Sequence, residues 1–165
     1  MILPFTHSCA PVCRALELTG HEWWPHNVAG GDSAYWGLFD SLWNTGETFC
    51  VVEHDVVVRS DTLNELDECP SDWCSFLVPY VGVEYAGLGC AKFTADLIAR
   101  VPDALARVAE NEGDEHHPPK HWCRLDAWLQ GVLESAGETK CVHGPPLEHL
   151  RVQDGEEIMP THGCW

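Results

Sequence analysis

Thr48-Phe49-Cys50-Val51-Val52-Glu53-His54-Asp55 is the stretch on which the fold turns. Its first five residues are strand formers without polar alternation, which reads as a strand buried on both faces, as in a parallel sheet covered by helices. The run stops at Glu53-His54-Asp55, so polar groups gather where the strand leaves the core. In open α/β sheets ligands bind beyond the carboxyl ends of the strands, and an acidic cluster there can hold a hard cation, Mn²⁺ or Mg²⁺, through oxygen. The same residues also read as a strand-end turn with solvated charges.

Outward from this strand, strand and helix signals alternate. Residues 2–5 read as a short first strand, and residues 11–18 as a helix opened by Pro11 and stopped by Gly20. Asp32 or Ser33 can cap a second helix, in which Tyr35, Trp36, Leu38, Phe39, Leu42 and Trp43 recur at helical spacing. Ser60 can cap a helix through Leu66, and residues 73–83 read as strand interrupted by Pro79. A Gly-rich turn, Gly87-Leu88-Gly89, follows. Residues 94–100 and 103–110 read as helices split by Pro102, residues 111–119 as an exposed loop with Glu115, His116 and His117, and the apolar spacing of residues 122–133 as an amphipathic helix ending at Gly137. Residues 140–143 and 147–152 read as short strands. The alternation predicts a compact three-layer α/β/α fold with a mostly parallel central sheet, one domain over residues 1–152 and an acidic tail over 153–165.

The 165 residues carry 9 Lys+Arg against 26 Asp+Glu, a formal charge of −17. A field of that sign repels phosphate backbones, which disfavours DNA and favours a protein or small molecule as partner. With 45% apolar residues and 8 Trp, the chain lies outside the regime of disordered sequences, so the acidity sits on a folded surface. The apolar runs are too short to span a bilayer, and the N-terminus lacks a charged region and a long apolar core, so the expectation is a cytoplasmic protein. Nine cysteines, an odd number, suit a reducing compartment.

Ala29-Gly30-Gly31-Asp32-Ser33-Ala34-Tyr35, residues 38–43 and residues 50–56 together resemble small phage and actinobacterial glycosyltransferase-like proteins of the A-type (GT-A) glycosyltransferase fold. Gly87-Leu88-Gly89-Cys90-Ala91-Lys92-Phe93, His121-Trp122, Leu125-Asp126-Ala127-Trp128-Leu129 and His143-Gly144-Pro145 extend the resemblance. It implies a nucleotide-sugar donor whose diphosphate is held through Mn²⁺ or Mg²⁺ at Glu53-His54-Asp55, with Asp55 the principal ligand. Glu replaces the family's first Asp. A late His ligand maps to His143 or His149. Asp126, near the start of a late helix, takes the place of the general base in inverting members, or is a helix-face charge paired with Arg124 or Lys120. Thr6 and Arg14 lie where the donor nucleotide would bind; Asp32 and Ser33 would contact its base or ribose unless they serve only as caps. His54 belongs to the same donor side. Gly87, Leu88 and Gly89 would form the acceptor-side turn, or an ordinary tight turn.

Cys69 and Cys74 offer a rival feature, a C-x4-C spacing that Cys90, Cys123 or a histidine could complete as a structural Zn²⁺ site. Buried free thiols are the alternative. The functions in view are thus a metal-dependent glycosyltransferase with an unknown hydroxyl acceptor, a non-catalytic GT-A-like binding module, and a zinc-stabilised binding domain. A metal-dependent hydrolase using His54 and Asp55 has no nucleophile motif behind it.

Overall fold

The computed structural model describes residues 1–5, 10–80, 83–111, 113 and 118–150, with the backbone of 152–153 and 156–157. Its elements in chain order are β1 (Ile2–Phe5), α1 (Ala10–Thr19), β2 (Trp24–Asn27), α2 (Ala34–Thr45), β3 (Phe49–Val52), β4 (Val56–Val57) and α3 (Thr62–Glu68). Then come β5 (Trp73–Phe76), β6 (Val78–Tyr80), β7 (Val83–Tyr85), β8 (Cys90–Phe93), α4 (Ala95–Arg100), α5 (Ala104–Ala109) and α6 (Trp122–Ser135). The chain continues through β9 (Cys141–His143), β10 (Glu148–His149), β11 (Val152–Gln153) and β12 (Glu156–Glu157).

Six strands form a central sheet in the order β2-β1-β3-β8-β5-β9. β1 pairs in parallel with β2 and β3, and β5 with β9, whereas β8 runs antiparallel between β3 and β5. The sheet is therefore mostly parallel, with one opposed strand in its middle. β3 is the buried strand its sequence predicts: Val51 and Val52 are fully buried on opposite faces. Phe49, Val51, Trp73, Ala91 and Phe93 point into an apolar cluster with residues of α2, α4, α5 and α6. Val52, Cys74, Phe76 and Cys90 point into a second cluster with residues of α1 and α3.

The aromatic stripe of α2 is the centre of the first cluster. Phe39 meets Phe49 and Phe93 edge to face at 5.9 and 6.1 Å, and Trp43 meets the same two rings at 6.2 and 5.6 Å. The Trp43 indole N–H donates to the Val101 carbonyl at 2.9 Å, so burial leaves no polar atom of the ring unsatisfied. Gly46, at φ 69°, closes α2 in the left-handed conformation, its N–H donating to Trp43 O.

Several expectations shift in detail. Ser33 occupies the N-cap of α2 but makes no side-chain cap bond, while the Asp32 carbonyl accepts from Trp122 N at 2.9 Å and so ties the head of α6 to α2. Asp61 rather than Ser60 precedes α3; the local side-chain bond comes from Thr62 Oγ1, which accepts from Arg59 N at 2.9 Å. The expected strand over 73–83 is divided, because the chain leaves the sheet after Phe76 and Val78–Tyr80 pairs instead with β7. β2 and β8 carried no strand signal in the reading of the sequence. β2 is an exposed edge strand containing Pro25, which an edge tolerates. The loop residues Glu115, His116 and His117 and the sequence beyond Glu157 lie outside the described residues. Among the described residues no helix is long and apolar enough to cross a membrane.

Candidate functional site

β3 delivers Glu53 at its carboxyl end, where Glu53 N–H donates to Gly89 O at 2.9 Å and joins the turn before β8 to the strand. The chain then turns through His54 and Asp55 into β4, with Val56 N–H donating back to Glu53 O at 3.0 Å. β4 pairs antiparallel with β10 in the register His149↔Val56, and Leu150 N–H donates to Asp55 O at 2.6 Å. That ladder sets His149 beside Asp55.

Three ionisable side chains meet here. The His149 ring, 5% exposed, donates from Nε2 to Asp55 Oδ2 at 3.2 Å and from Nδ1 to the Pro79 carbonyl at 2.9 Å. Only the imidazolium can donate from both nitrogens. Burial depresses the His149 pKa, but the Asp55 bond and charge override it and hold the value above the ordinary one. Burial likewise pushes Asp55 up, and the hydrogen bond and charge of His149, with His54 nearby, override it and hold the carboxyl below its usual range. The pair is therefore ionised. Asp55 Oδ1 is buried with no hydrogen-bond partner among the described residues.

Glu53 has the opposite character. Burial, then the Asp55 charge, push its carboxyl up to about 7, against the opposing hydrogen bond that Tyr35 Oη donates to Glu53 Oε1 at 2.7 Å. Tyr35 comes from the first turn of α2, so the helix that fills the core also reaches the site. The end of β3 thus gathers an orphaned carboxylate oxygen, a second carboxyl and an imidazolium whose two ring nitrogens are both engaged.

Asp126 approaches from α6. It contributes to the raised Glu53 pKa and contacts the Gly87 turn. Burial raises its own pKa, partly offset by the Ala127 N–H at 2.7 Å and the Lys140 charge. Beside it, Lys140 Nζ donates to the Ala86 carbonyl and, at 2.7 Å, to Gln130 Oε1, which also accepts from Tyr85 Oη at 3.2 Å. Asp126, Gln130, Lys140, Trp73 and Gly87 line a small hollow. The ion-pair partners considered for Asp126, Arg124 and Lys120, are not among its neighbours there; Lys120 Nζ lies over the Trp36 ring at 3.9 Å.

Gly87 and Gly89 acquire a local reason. A Cβ on Gly87 would stand 2.6 Å from Tyr85 Cε1 and 2.7 Å from Asp126 Oδ2; one on Gly89 would stand 3.2 Å from Val78 Cγ2. Leu88 is buried in the first apolar cluster. Gly87→Ala is expected to displace the Tyr85 ring and Asp126, costing about 1–3 kcal/mol, checked by denaturant unfolding.

The other expected residues are spread out. Arg14 is exposed on α1, and Asp32 and Ser33 are exposed at the head of α2, with Asp32 Oδ1 4.0 Å from His121 Nε2. Thr6 lies outside the described residues. Of the two late histidines, His149 is the one beside Asp55; His143 joins Cys69 and Cys74, a cluster that could hold a metal ion. Neither cysteine considered as a completing ligand belongs to that cluster: Cys90 is buried on β8, and Cys123 Sγ sits 2.9 Å from His121 Nδ1. Tyr35, Gln130 and Lys140 were missed as site residues. Gln130 was within reach of sequence reasoning, since it lies four residues after Asp126 on one helix face.

The architecture is thus a mixed α/β fold with a six-stranded, mostly parallel sheet and acidic groups at the end of β3. The structure is similar to that of a glycosyltransferase involved in the glycosylation of the major capsid of PBCV-1, at TM-score 0.53 and 12% identity, over 87% of this chain and 81% of that one. It is also similar to A197 from STIV, at TM-score 0.50 and 9% identity, over 93% of this chain and 85% of that one. At such identities the likeness is one of fold. No protein-family model matches the sequence, and no curated protein matches it.

Proposed function

We propose that this protein is a compact metal-dependent glycosyltransferase, a three-layer α/β/α domain of GT-A type over residues 1–152, moving a sugar from a nucleotide-sugar to a hydroxyl acceptor. The observation that carries the reading is Asp55 Oδ1, a buried and unpartnered carboxylate oxygen between Glu53 and His149 at the end of a central strand. Asp55 and Glu53 would hold Mn²⁺ or Mg²⁺, which would supply charge neutralisation for a diphosphate leaving group, while His149, an imidazolium with no lone pair, would orient Asp55 rather than ligate the ion. In a protein of charge −17 a diphosphate needs such help.

Asp126 is the proposed general base. Its raised pKa suits a carboxylate that takes a proton from an acceptor hydroxyl near neutral pH, and Lys140 beside it stabilises the ionised form that must be present beforehand. Tyr35, by its bond to Glu53 Oε1, holds that carboxyl in place at the site. Arg14, Asp32, Ser33, His54 and Thr6 are the proposed donor side, and residues 87–89 the acceptor side. A protein or small-molecule acceptor fits the charge better than DNA. A second reading, a non-catalytic binding module of the same fold, is favoured by one observation: His149 already supplies Asp55 with a cationic partner.

Calorimetry with a panel of nucleoside diphosphates, with and without Mn²⁺, separates these readings. The enzyme reading expects binding of at least one nucleotide that depends on the metal; no metal-dependent binding across the panel overturns it. With the bound nucleotide identified, Asp126→Asn should keep binding and slow hydrolysis of the matching nucleotide-sugar, water standing in for the acceptor, by about 10²–10⁴-fold. Unchanged hydrolysis would remove Asp126 as the base.

A further inference from the structure

On the sheet face that carries Val52 and Phe76, a second set of ligating side chains converges. Cys141 and His143 lie two residues apart on β9 and so project to one face. The β5–β9 register sets Cys74 directly beside Cys141. Cys69 closes α3, its N–H donating to Glu65 O at 3.1 Å. The ligand atoms of Cys69, Cys74 and His143 all lie within 4.8 Å of one another. Cys141 Sγ stands 3.9 Å from His143 Nε2 and makes hydrogen-bonding contact with Cys69. Around a tetrahedral zinc, with bonds of about 2.3 Å to sulfur and 2.0–2.1 Å to nitrogen, neighbouring ligand atoms are roughly 3.3–3.8 Å apart. Cys141 Sγ falls outside that 4.8 Å span, so its side chain must rotate inward, and the other three ligand atoms draw together, to close the set.

Two more observations distinguish it from four residues that merely pack. His143 turns Nε2 toward the thiols and Nδ1 toward Glu65 Oε2, 4.0 Å away. A carboxylate behind the second ring nitrogen is the usual arrangement that orients a zinc-bound histidine. Beside the cluster, Lys92 is only 4% exposed and donates from Nζ to the Cys69 carbonyl at 2.7 Å; among the described residues no carboxylate pairs with it. A buried ammonium needs a compensating charge. Three thiolates around one divalent ion carry a single net negative charge at that place.

We infer that Cys69, Cys74, Cys141 and His143 form a structural zinc site of the Cys3His type, pinning the end of α3 and the edge strand β9 to β5. Four protein ligands leave no open position, so the ion serves the fold rather than the chemistry. β9 is three residues long with a single neighbour in the sheet, and a bond through the metal holds it where its own ladder is weak.

The test is elemental analysis of the full chain purified under reducing conditions, followed by chelation and titration with Co²⁺. About one zinc per chain is expected, and the cobalt form should show thiolate charge-transfer and the intense visible bands of a tetrahedral site. Cys141→Ser and His143→Ala should each lose the zinc, whereas Asp55→Ala should retain it, which keeps this site separate from the one at the end of β3. Zinc absent from the wild-type chain, with no cobalt spectrum on titration, would overturn the proposal without any variant having to fold. So would a Cys69–Cys74 disulfide, found as thiols that resist alkylation until reduced. Full zinc and an unchanged cobalt spectrum in Cys141→Ser would overturn the four-ligand assignment.

Discussion

Asp55→Asn is expected to weaken Mn²⁺-dependent binding of a nucleoside diphosphate at least a hundred-fold, since loss of a supporting residue behind a metal ligand already costs about 10–100-fold. Asn keeps the volume and one acceptor oxygen but removes the charge that Asp55 Oδ1 holds buried and unpartnered. The variant has a second readout that needs no ligand. His149 owes its raised pKa to Asp55 acting against burial; with that charge gone, burial prevails and the imidazole should titrate below its ordinary range. NMR titration of the ring protons checks this. A His149 pKa that stays raised in Asp55→Asn would show that the Pro79 carbonyl, not Asp55, sustains the imidazolium. Unchanged Mn²⁺-dependent affinity would exclude Asp55 as a ligand.

The part of this site that could be read from the sequence is the part that is local in the chain. Phe49–Val52 announces a buried strand by composition, and the acids after it follow from where such strands end. Strand β8 was invisible as a strand because Cys90-Ala91-Lys92-Phe93 includes a lysine, which argues against a central position. Only the structure shows that Lys92 lies among thiols and donates to a carbonyl. The choice between His143 and His149 was likewise non-local. It depends on the pairing of β10 with β4, across about ninety residues of chain, and two-residue strands have no periodicity to detect.

The same limit applies to the cysteines. The C-x4-C spacing drew attention to Cys69 and Cys74, but Cys141 and His143 join them through the register of β5 with β9, which composition does not encode. Cys141-x-His143 is itself a readable signal, two ligands on one face of a strand. Tyr35 was legible as an apolar residue on a helix stripe and illegible as a polar one, because its hydroxyl reaches Glu53 only after α2 has packed.

Glu53 makes the metal question measurable without any substrate. Its carboxyl titrates at about 7 in the folded chain against an ordinary 4.5, chiefly because it is buried. A group with a raised folded pKa favours the fold fully below its unfolded value, and that contribution is lost as pH rises through the folded one. Stability of the protein without added Mn²⁺, its zinc site left intact, should therefore fall between about pH 4.5 and 7, with Glu53 responsible for about 3 kcal/mol of the change. His149 shifts in the same sense and adds to the slope, so the informative quantity is the difference between wild type and Glu53→Gln, which lacks the titrating proton. Equal pH slopes in denaturant unfolding of the two proteins would show that Glu53 is not held protonated. A divalent cation reverses the balance, because it binds the ionised carboxylate and must displace the proton first. Below about pH 6 the affinity for Mn²⁺ should rise toward tenfold per pH unit, level off above 7, and release protons that a calorimeter detects as a buffer-dependent heat. Glu53→Gln should abolish that release. The acidity that makes the surface hostile to a diphosphate thus contains, at one buried position, a carboxyl that stays protonated below about pH 7 and yields its proton to a cation there.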